Sequence, residues 1–270
     1  MTTSTTGPRN AQTDAQSGLR YYTWKGQQLI SVTSMRKLLG MPFPLAQWQM
    51  NQAIKAAIDN ADNLGNMVYD DRQMGTDATS TFLRQQALLV RDKAASRGTA
   101  IHEAAALGVD PATADEEIAL PLAQYYDFLD RSKARVLLTE RQVFNLKMGY
   151  AGSLDLMAAF RPPFVSSPRK LVIDIKTGKG LYIDHAIQLM AYAGAEFIGA
   201  DNVIDMAATK HLGEANGFAI LKLTDTDWEL VEIRPTPELF KAFEAMVTFA
   251  KWQEATPTID SLVAGRIRSQ

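Results

Sequence analysis

The sequence contains no cysteine, and that absence removes several classes of protein at once. Disulfide-stabilised folds, thiolate zinc sites and cysteine-bound iron–sulfur clusters all need sulfur atoms that this chain does not have. The sequence also lacks any apolar run near the roughly 18 residues that suggest a membrane span. We therefore expect no membrane partner, and the cytoplasm is the predicted location.

The chain has no surplus of positively charged residues either. The chain has 28 Lys and Arg residues against 30 Asp and Glu residues, for a formal net charge of -2. Phosphate binding normally shows as a basic surplus, so this balance argues mildly against a nucleic-acid partner. A local basic groove together with bound divalent cations would still hold a phosphate backbone.

Composition predicts one globular domain between two tails. The 46% hydrophobic content of the 270 residues is enough for one substantial core. Residues 1–18 are rich in Thr, Ser, Gln and Asn and predict a disordered tail without the apolar segment of a signal peptide. We expect a single domain over 19–260, mainly helical over 19–134 and with a sheet core over 135–255, followed by a C-terminal tail at 256–270.

Helical patterns dominate the first half of the chain. Before them, alternation between Tyr21 and Val32 predicts a short hairpin that turns at Gly26 and forms a small β-annex. The predicted helices are a short one ending at Gly40, then about 45–60, 79–107 with a break at Gly98, 118–133, 184–199 and 237–254.

From residue 135 onward, apolar and β-branched runs separated by turns predict a sheet. The proline-rich segment 161–169 must be a loop, which makes the strands on either side of it antiparallel neighbours. The order of elements predicts a mixed α/β or α+β fold. The predicted strands are 136–138, 142–144, 150–160, 170–176, 218–224 and 228–233.

Asp174 and Lys176 interrupt an otherwise apolar strand. Side chains two residues apart on a strand point to the same face, so the two charges are predicted to be neighbours. Ionised groups among apolar residues are unfavourable unless they are paired or bind a metal. The pattern therefore predicts either a closed ion pair or an active site, and the tripeptide alone does not decide between them.

Asp155 interrupts the preceding strand in the same way, between two leucines. Antiparallel pairing with the 170–176 strand would bring Asp155 and Asp174 together. Like charges at that distance repel, and a divalent cation with carboxylate ligands relieves the repulsion. Gly149 and Gly152 are typical of a turn or of a close backbone approach beside such a metal. The solvated face of an edge strand is the other interpretation of Asp155.

His102 and Glu140 are further candidates. A lone histidine on a helix of small residues is usually a core or surface residue, but beside two aspartates His102 would be a ligand more acceptable to Mn²⁺ than to Mg²⁺. Glu140 lies two residues from both Leu138 and Gln142, so it is predicted to share a face with them on the strand before Asp155. It is either a further acidic member of the site or a solvated side chain.

Gln188 and Tyr192 are four residues apart and therefore share one face of the helix after the Asp-x-Lys strand. They are predicted to hydrogen-bond phosphate oxygens or the lysine, and a core position for Tyr192 fits the pattern equally well. For base stacking the chain offers Trp24, Trp48 and Tyr182. Ordinary packing is the other interpretation of all three aromatic residues.

These motifs in this order resemble the PD-(D/E)xK nuclease superfamily, and specifically its RecB-like exonuclease branch. The resemblance covers about residues 22–252. Two N-terminal segments, Gln28-Leu-Ile-Ser-Val-Thr and Leu45-Ala-Gln-Trp48, resemble the lead-in of phage-encoded and mitochondrial genome maintenance type members. The motifs are Gly98-Thr-Ala-Ile-His102, Glu140, Gly152-Ser-Leu-Asp155, Asp174-Ile-Lys176-Thr-Gly and Gln188-x-x-x-Tyr192.

The resemblance implies a restriction-endonuclease-like core, in which a central mixed sheet is flanked by helices, with an N-terminal helical annex. It implies one or two Mg²⁺ or Mn²⁺ ions held by His102, Asp155, Asp174 and the Ile175 carbonyl, with Lys176 beside the nucleophilic water and Glu140 as a further acidic residue of the catalytic site. The expected substrate-binding residues are Gln188, Tyr192, Thr177, Lys179 and Arg97.

Neither an iron–sulfur cluster nor a nucleotide cofactor is expected. Some relatives carry four cysteines for an iron–sulfur cluster, and this chain has none. The segment Thr177-Gly-Lys179 lacks the upstream glycine and the following Ser or Thr of a phosphate loop, so no nucleotide cofactor is predicted.

The expected function is a metal-dependent deoxyribonuclease, an exonuclease acting on single strands or duplex ends in replication, recombination or repair. Its partners would be DNA and proteins of those processes, in the cytoplasm of a bacterium or of the host of a phage. A catalytically silent DNA-binding module of the same fold is the main alternative. A structural scaffold is a third, and it would show neither DNA affinity nor a metal-dependent thermal shift.

Overall fold

The computed structural model describes residues 11–13, 19–37, 40, 43–178, 180–255 and 258–264. They belong to two compact units, which we name the sheet unit (Met1–Leu39 with Leu120–Gln270) and the helical unit (Gly40–Ala119). None of the helices in the described part of the chain has the length and apolarity needed to cross a membrane.

Strands and helices account for most of the described residues. The strands are β1 (Ala11–Thr13), β2 (Arg20–Trp24), β3 (Gln27–Ser31), β4 (Arg135–Asn145), β5 (Tyr150–Phe160), β6 (Arg169–Lys176), β7 (Phe197–Ala200), β8 (Val203–Ile204), β9 (Gly217–Leu223) and β10 (Trp228–Ile233). The helices are α1 (Val32–Lys37), α2 (Phe43–Asp59), α3 (Ala61–Met74), α4 (Ala78–Leu107), α5 (Glu116–Ser132), α6 (Ile183–Ala193), α7 (Met206–Gly213) and α8 (Pro237–Ala255), with a 3-10 turn at Ile259–Leu262.

The strands form one mixed sheet centred on β5. Strand β4 pairs antiparallel along one edge of β5. The other edge changes neighbour: its beginning pairs in parallel with β3, and from Leu156 onward it pairs antiparallel with β6. Strand β6 continues in parallel to β9, which pairs antiparallel with β10. The predicted mixed α/β class and the antiparallel pairing across 161–169 are confirmed.

The predicted N-terminal hairpin is confirmed, with β2 and β3 joined by a turn in which Gly26 has a φ of +84°. It is not a separate annex, because Ile30 of β3 pairs with Tyr150 of β5 and so extends the main sheet. Trp24 is buried and lies 4.6 Å from Phe144, centroid to centroid. Its ring is therefore part of the core of the sheet unit.

Three predicted boundaries are wrong. The two strands expected at 136–138 and 142–144 are one strand, β4, because the chain runs from Leu138 to Asn145 in continuous register with β5 instead of turning. Gly98 lies inside a continuous α4, since the helix around it has good propensity and a single glycine costs only about 1 kcal/mol. The helix expected over 184–199 ends at Ala193, and Phe197–Ala200 is the short strand β7, which pairs with β4.

Other elements were not predicted at all. Helix α3 contains several Asn and Asp residues and a glycine, which have low helix propensity, and it has no buried residue. Residues 11–13, within the expected N-terminal tail, pair with β2 as β1. The remainder of that segment lies outside the described residues, as do 256–257 and 265–270 of the expected C-terminal tail.

Helices α6 and α8 pack against one face of the sheet and close the main core. Residues 185–192 of α6 are all buried, whereas α8 buries apolar side chains on one side only. Among the buried residues of this core are Val143, Leu154, Val172 and Ile220 from strands and Leu189, Met190, Phe243 and Val247 from helices.

The helical unit is described separately, and its α3 and α4 are joined through one carboxylate. Asp71 accepts hydrogen bonds from Thr76 Oγ1 (2.5 Å), Ala78 N (3.0 Å) and Thr79 N (2.8 Å). The hydrogen bond from the Thr76 side chain, followed by those from Thr79, lowers the pKa of Asp71. The carboxylate thus occupies backbone donors at the start of α4 that would otherwise lack partners.

Candidate metal centre

Asp155 lies in the middle of β5 and is 9% exposed. Its Oδ2 atom accepts a hydrogen bond of 2.8 Å from the backbone N–H of Ile175. The ladder between β5 and β6 begins at Leu156 opposite Ile173. One further step in the same register sets Asp155 opposite Asp174, so the two acidic positions flank the point where these strands part.

Asp174 and Lys176 share one face of β6, as their spacing predicts. The Lys176 Nζ atom lies 2.5 Å from Asp174 Oδ2, and the side chains are 19% and 0% exposed, respectively. A carboxylate buried this completely is strongly destabilising unless an opposite charge accompanies it. Lys176 supplies that charge while keeping part of its own side chain accessible to solvent.

Glu140 adds a second carboxylate beside Asp155. It has a φ of +46°, which is unusual for a non-glycine residue. Its neighbours in β4 pair with Leu156 and Leu154, which places Glu140 opposite Asp155 in the ladder. One oxygen of each carboxylate lies within 4.8 Å of the other, although Glu140 is exposed and Asp155 is buried.

Glu140 has a strained backbone and also a carboxylate close to that of Asp155. A non-glycine residue in the left-handed region costs on the order of 1–3 kcal/mol and persists only where surrounding structure imposes it. Two carboxylates this close also repel each other, and a divalent cation is the usual means of relieving that repulsion. Ser153 Oγ, 3.3 Å from Glu140 Oε2, offers a neutral hydrogen bond to the same carboxylate.

His102, Glu140 and Asp155 are residues of the types that could hold a metal ion. Glu140 and Asp155 belong to the sheet unit. His102 belongs to α4 of the helical unit, where its side chain is half-buried. The three residue types provide a nitrogen ligand and carboxylate oxygens, a set that Mn²⁺ accepts and that does not by itself identify the ion.

Tyr192 of α6 is buried and packs against β5. Its hydroxyl lies 2.6 Å from Gln188 Nε2, which confirms that the two side chains share a helix face. Burial, followed by the negative charges of Asp155 and Asp174, raises the pKa of Tyr192 well above its usual value. The hydroxyl therefore stays protonated next to the carboxylates, and with 1% exposure Tyr192 belongs to the core.

Gly152 allows this close approach of Tyr192 to β5. A Cβ atom at Gly152 would lie 3.1 Å from Tyr192 Cε1 and 3.1 Å from Val32 Cγ2, closer than ordinary packing allows. The expected close backbone approach at Gly152 is confirmed. The expected turn at Gly149 is confirmed as well, since its φ is +76° in the β4–β5 connection.

The remaining substrate-binding candidates lie in different places. Thr177 is half-buried and follows β6 directly, one residue after Lys176. Arg97 belongs to α4 of the helical unit, where its Nε donates to the Glu117 carbonyl at 2.6 Å. Lys179 lies outside the described residues. Tyr182 caps the start of α6 and has its ring 5.6 Å from that of His185.

Two residues near the carboxylates were not assigned a role from the sequence. Ser153 stands within the Gly-Ser-Leu-Asp motif, so its position beside Glu140 could have been inferred from strand parity. Tyr22 is buried in β2, and burial raises its pKa to about 12, with opposing smaller effects from Arg20 and Glu140. Nothing in the local sequence around Tyr22 signals a position near Glu140, because the two are brought together by the order of strands.

No protein-family model and no curated protein matches this chain. Among solved structures, a match is the crystal structure of SSO0001, with 18% sequence identity over 55% of this chain and 69% of that chain. The TM-score of that match is 0.28, and at this value the likeness carries no argument about fold or function.

Proposed function

We propose that this protein is a metal-dependent deoxyribonuclease of the PD-(D/E)xK type. The observation that supports the proposal most strongly is the grouping of acidic residues where β5 and β6 part. Glu140 and Asp155 have carboxylate oxygens within 4.8 Å of each other, and the Asp174–Lys176 pair lies on the next strand. Neighbouring carboxylates can hold the divalent cations that assist phosphodiester hydrolysis, and a lysine beside them can stabilise the charge that develops on the phosphate.

In this proposal Asp155, Glu140, Asp174 and the Ile175 carbonyl would hold one or two Mg²⁺ or Mn²⁺ ions. His102 stays the nitrogen ligand that the family resemblance implies, and an imidazole ligand would favour Mn²⁺ over Mg²⁺. A divalent cation supplies a water of lowered pKa and neutralises charge that develops on the scissile phosphate.

Lys176 acts through its charge. Asp174 Oδ2 lies 2.5 Å from its Nζ atom and holds the ammonium group in position. The ammonium group orients the attacking water by donating a hydrogen bond, and it stabilises the additional negative charge on the phosphate. Asp155 is oriented for metal binding because one of its oxygens is already held by the Ile175 N–H.

The test is digestion of end-labelled DNA by the wild-type protein and by Lys176→Ala in Mg²⁺, Mn²⁺ or EDTA. Linear single strands, linear duplex and closed circular DNA are compared. We expect wild type to degrade linear DNA only with a metal, and Lys176→Ala to lose turnover while still showing a metal-dependent thermal shift. Sparing of circles identifies an exonuclease, and their cleavage identifies an endonuclease.

DNA binding without cleavage under any of these cations would contradict the proposal and favour a catalytically silent binding module. Absence of both DNA affinity and a metal-dependent thermal shift would favour the structural scaffold. Cleavage by Lys176→Ala at the wild-type rate would remove the lysine from the proposed mechanism.

A further inference from the structure

A cavity of about 620 Å³ opens within the sheet unit, at the end of β4, β5 and β6 that is far from Glu140, Asp155 and Asp174. It lies between the start of β4, the end of β5 and the start of β6. Basic side chains dominate its lining, in contrast to the net charge of -2 for the whole chain. The charged lining residues are Lys133, Arg135, Arg161, Arg169, Lys170 and Glu214.

Three of the five basic residues have acidic partners. Lys133 lies 2.7 Å from Asp130, Arg169 lies 2.7 Å from Glu232, and Lys170 pairs with Glu214. These pairs hold the cations in place and leave some of their hydrogen-bond donors available.

Arg135 and Arg161 differ from those three. Both side chains are exposed, and neither has a hydrogen bond or an ion pair to any residue that the structure describes. A guanidinium group presents a planar fork of donors that matches two oxygens of a phosphate. Two such groups on one concave surface, with further cations beside them, form a site for a phosphate group.

The cavity and the acidic positions are joined by the same three strands. Arg135 precedes Glu140 by five residues on β4, Arg161 follows Asp155 by six just beyond the end of β5, and Lys170 precedes Asp174 by four on β6, an average of five. At about 3.3 Å per residue this separation is about 17 Å along the sheet. Phosphates of one strand recur about every 3.4 Å along a duplex axis, so about five phosphates span it.

We propose that this basic cavity binds a backbone phosphate of the nucleic acid, about five nucleotides from the phosphate that lies at the carboxylates. The identity of the ligand rests on the proposed function, whereas the phosphate chemistry rests on the cavity itself. Arg135 and Arg161 are the binding residues, and the ion-paired Lys133, Arg169 and Lys170 offer further hydrogen-bond donors beside them.

The experiment measures the affinity of the full-length protein for a fluorescent DNA oligonucleotide, single-stranded and duplex, in EDTA and over a range of salt concentrations. Wild type is compared with Arg135→Gln/Arg161→Gln. Because both arginines are exposed, this double variant should keep the wild-type melting temperature. Lys241→Gln/Lys251→Gln is the matched control, since it removes two exposed charges from α8.

We expect the arginine double variant to bind about tenfold more weakly near physiological salt. The slope of log K against log salt should also become shallower by about 0.7 on single strands and about 0.9 on duplex, as the loss of one neutralised phosphate requires. The lysine double variant should match wild type. An arginine variant with wild-type affinity and slope, or a lysine variant that loses as much, would overturn the inference.

A second arm identifies the source of the phosphate by measuring the thermal shift caused by inorganic phosphate. If phosphate stabilises wild type through Arg135 and Arg161 but wild type binds no DNA, the cavity is a small-anion site and the inference is overturned. Cleavage is absent in EDTA, so these measurements do not depend on it. Wild type that degrades DNA while the arginine variant binds normally would retain the proposed function and reject this inference.

Discussion

The Oδ2 atom of Asp155 accepts a hydrogen bond of 2.8 Å from the backbone N–H of Ile175, next to the point where β5 and β6 begin to pair. A side chain thus takes the place of a ladder carbonyl and satisfies a buried donor. The same carboxylate faces Glu140 of the neighbouring strand β4. Asp155 therefore both completes the hydrogen bonding of the sheet and contributes to the proposed metal site.

Asp155→Asn and Asp155→Ala should therefore differ in stability. The amide oxygen of Asn can still accept from the Ile175 N–H, whereas Ala leaves that buried donor without a partner. We expect Asp155→Ala to be less stable than Asp155→Asn by about 1–3 kcal/mol, measured by urea unfolding in EDTA. Equal stability of the two variants would show that the hydrogen bond is dispensable.

Lys176→Ala should destabilise the protein as well as impair cleavage. It removes the partner of a fully buried Asp174, and we expect a loss of about 3 kcal/mol, the lower end for a broken buried pair, since Lys176 is partly accessible. Adding Asp174→Asn to Lys176→Ala should restore most of this stability, because the buried charge is then gone. A double variant no more stable than Lys176→Ala alone would contradict a buried ion pair.

Glu140→Gly should be more stable than Glu140→Ala. Both variants remove the carboxylate and its repulsion with Asp155, and only glycine accepts a φ of +46° without steric strain. We expect a difference of about 1 kcal/mol in urea unfolding. A less stable glycine variant would mean that the left-handed backbone at this position is not strained. Neither variant should keep the metal-dependent thermal shift of wild type.

Stability should fall in strong alkali, partly through Tyr22. Burial is the main reason that its pKa rises from 10.0 to about 12. The unfolded chain then loses this proton at lower pH than the folded protein, so the stability is intact below pH 10 and declines between pH 10 and pH 12. The decline should be on the order of 2 kcal/mol for this residue.

Urea unfolding at a series of pH values measures this decline, and Tyr22→Phe should show a smaller one than wild type. Tyr69→Phe, at an exposed position of the helical unit, is the matched control and should follow wild type. A Tyr22→Phe variant with the full alkaline decline would show that Tyr22 contributes nothing to it.

The sequence predicts those parts of the site that depend on strand parity and on loop composition. Asp174 and Lys176 share a face because they are two residues apart on β6. The prolines of 161–169 exclude a crossover helix, so β5 and β6 had to be antiparallel and Asp155 had to approach Asp174. The spacing of Gln188 and Tyr192 likewise predicts the hydrogen bond between them.

Features that depend on the order of strands are not visible in local sequence. The polar residues Thr139, Glu140 and Arg141 separate two apolar runs, so β4 resembles two strands with a turn between them. Nothing in the local sequence signals the left-handed backbone at Glu140. The change of neighbour along one edge of β5 follows from long-range pairing with β3 and β6. Arg135 and Arg161 are 26 positions apart in the sequence, and only the antiparallel register of β4 and β5 brings them to one cavity.

The most direct test of the central claim is the initial rate of Mn²⁺-dependent degradation of linear duplex DNA by wild type and by Asp155→Asn. Glu229→Gln, an exposed carboxylate on β10, is the control. We predict metal-dependent degradation by wild type and Glu229→Gln, and a loss of about a thousandfold or more in Asp155→Asn, because its amide is a much poorer metal ligand. Degradation by Asp155→Asn at the wild-type rate, or no degradation by wild type with any divalent cation, would contradict the account.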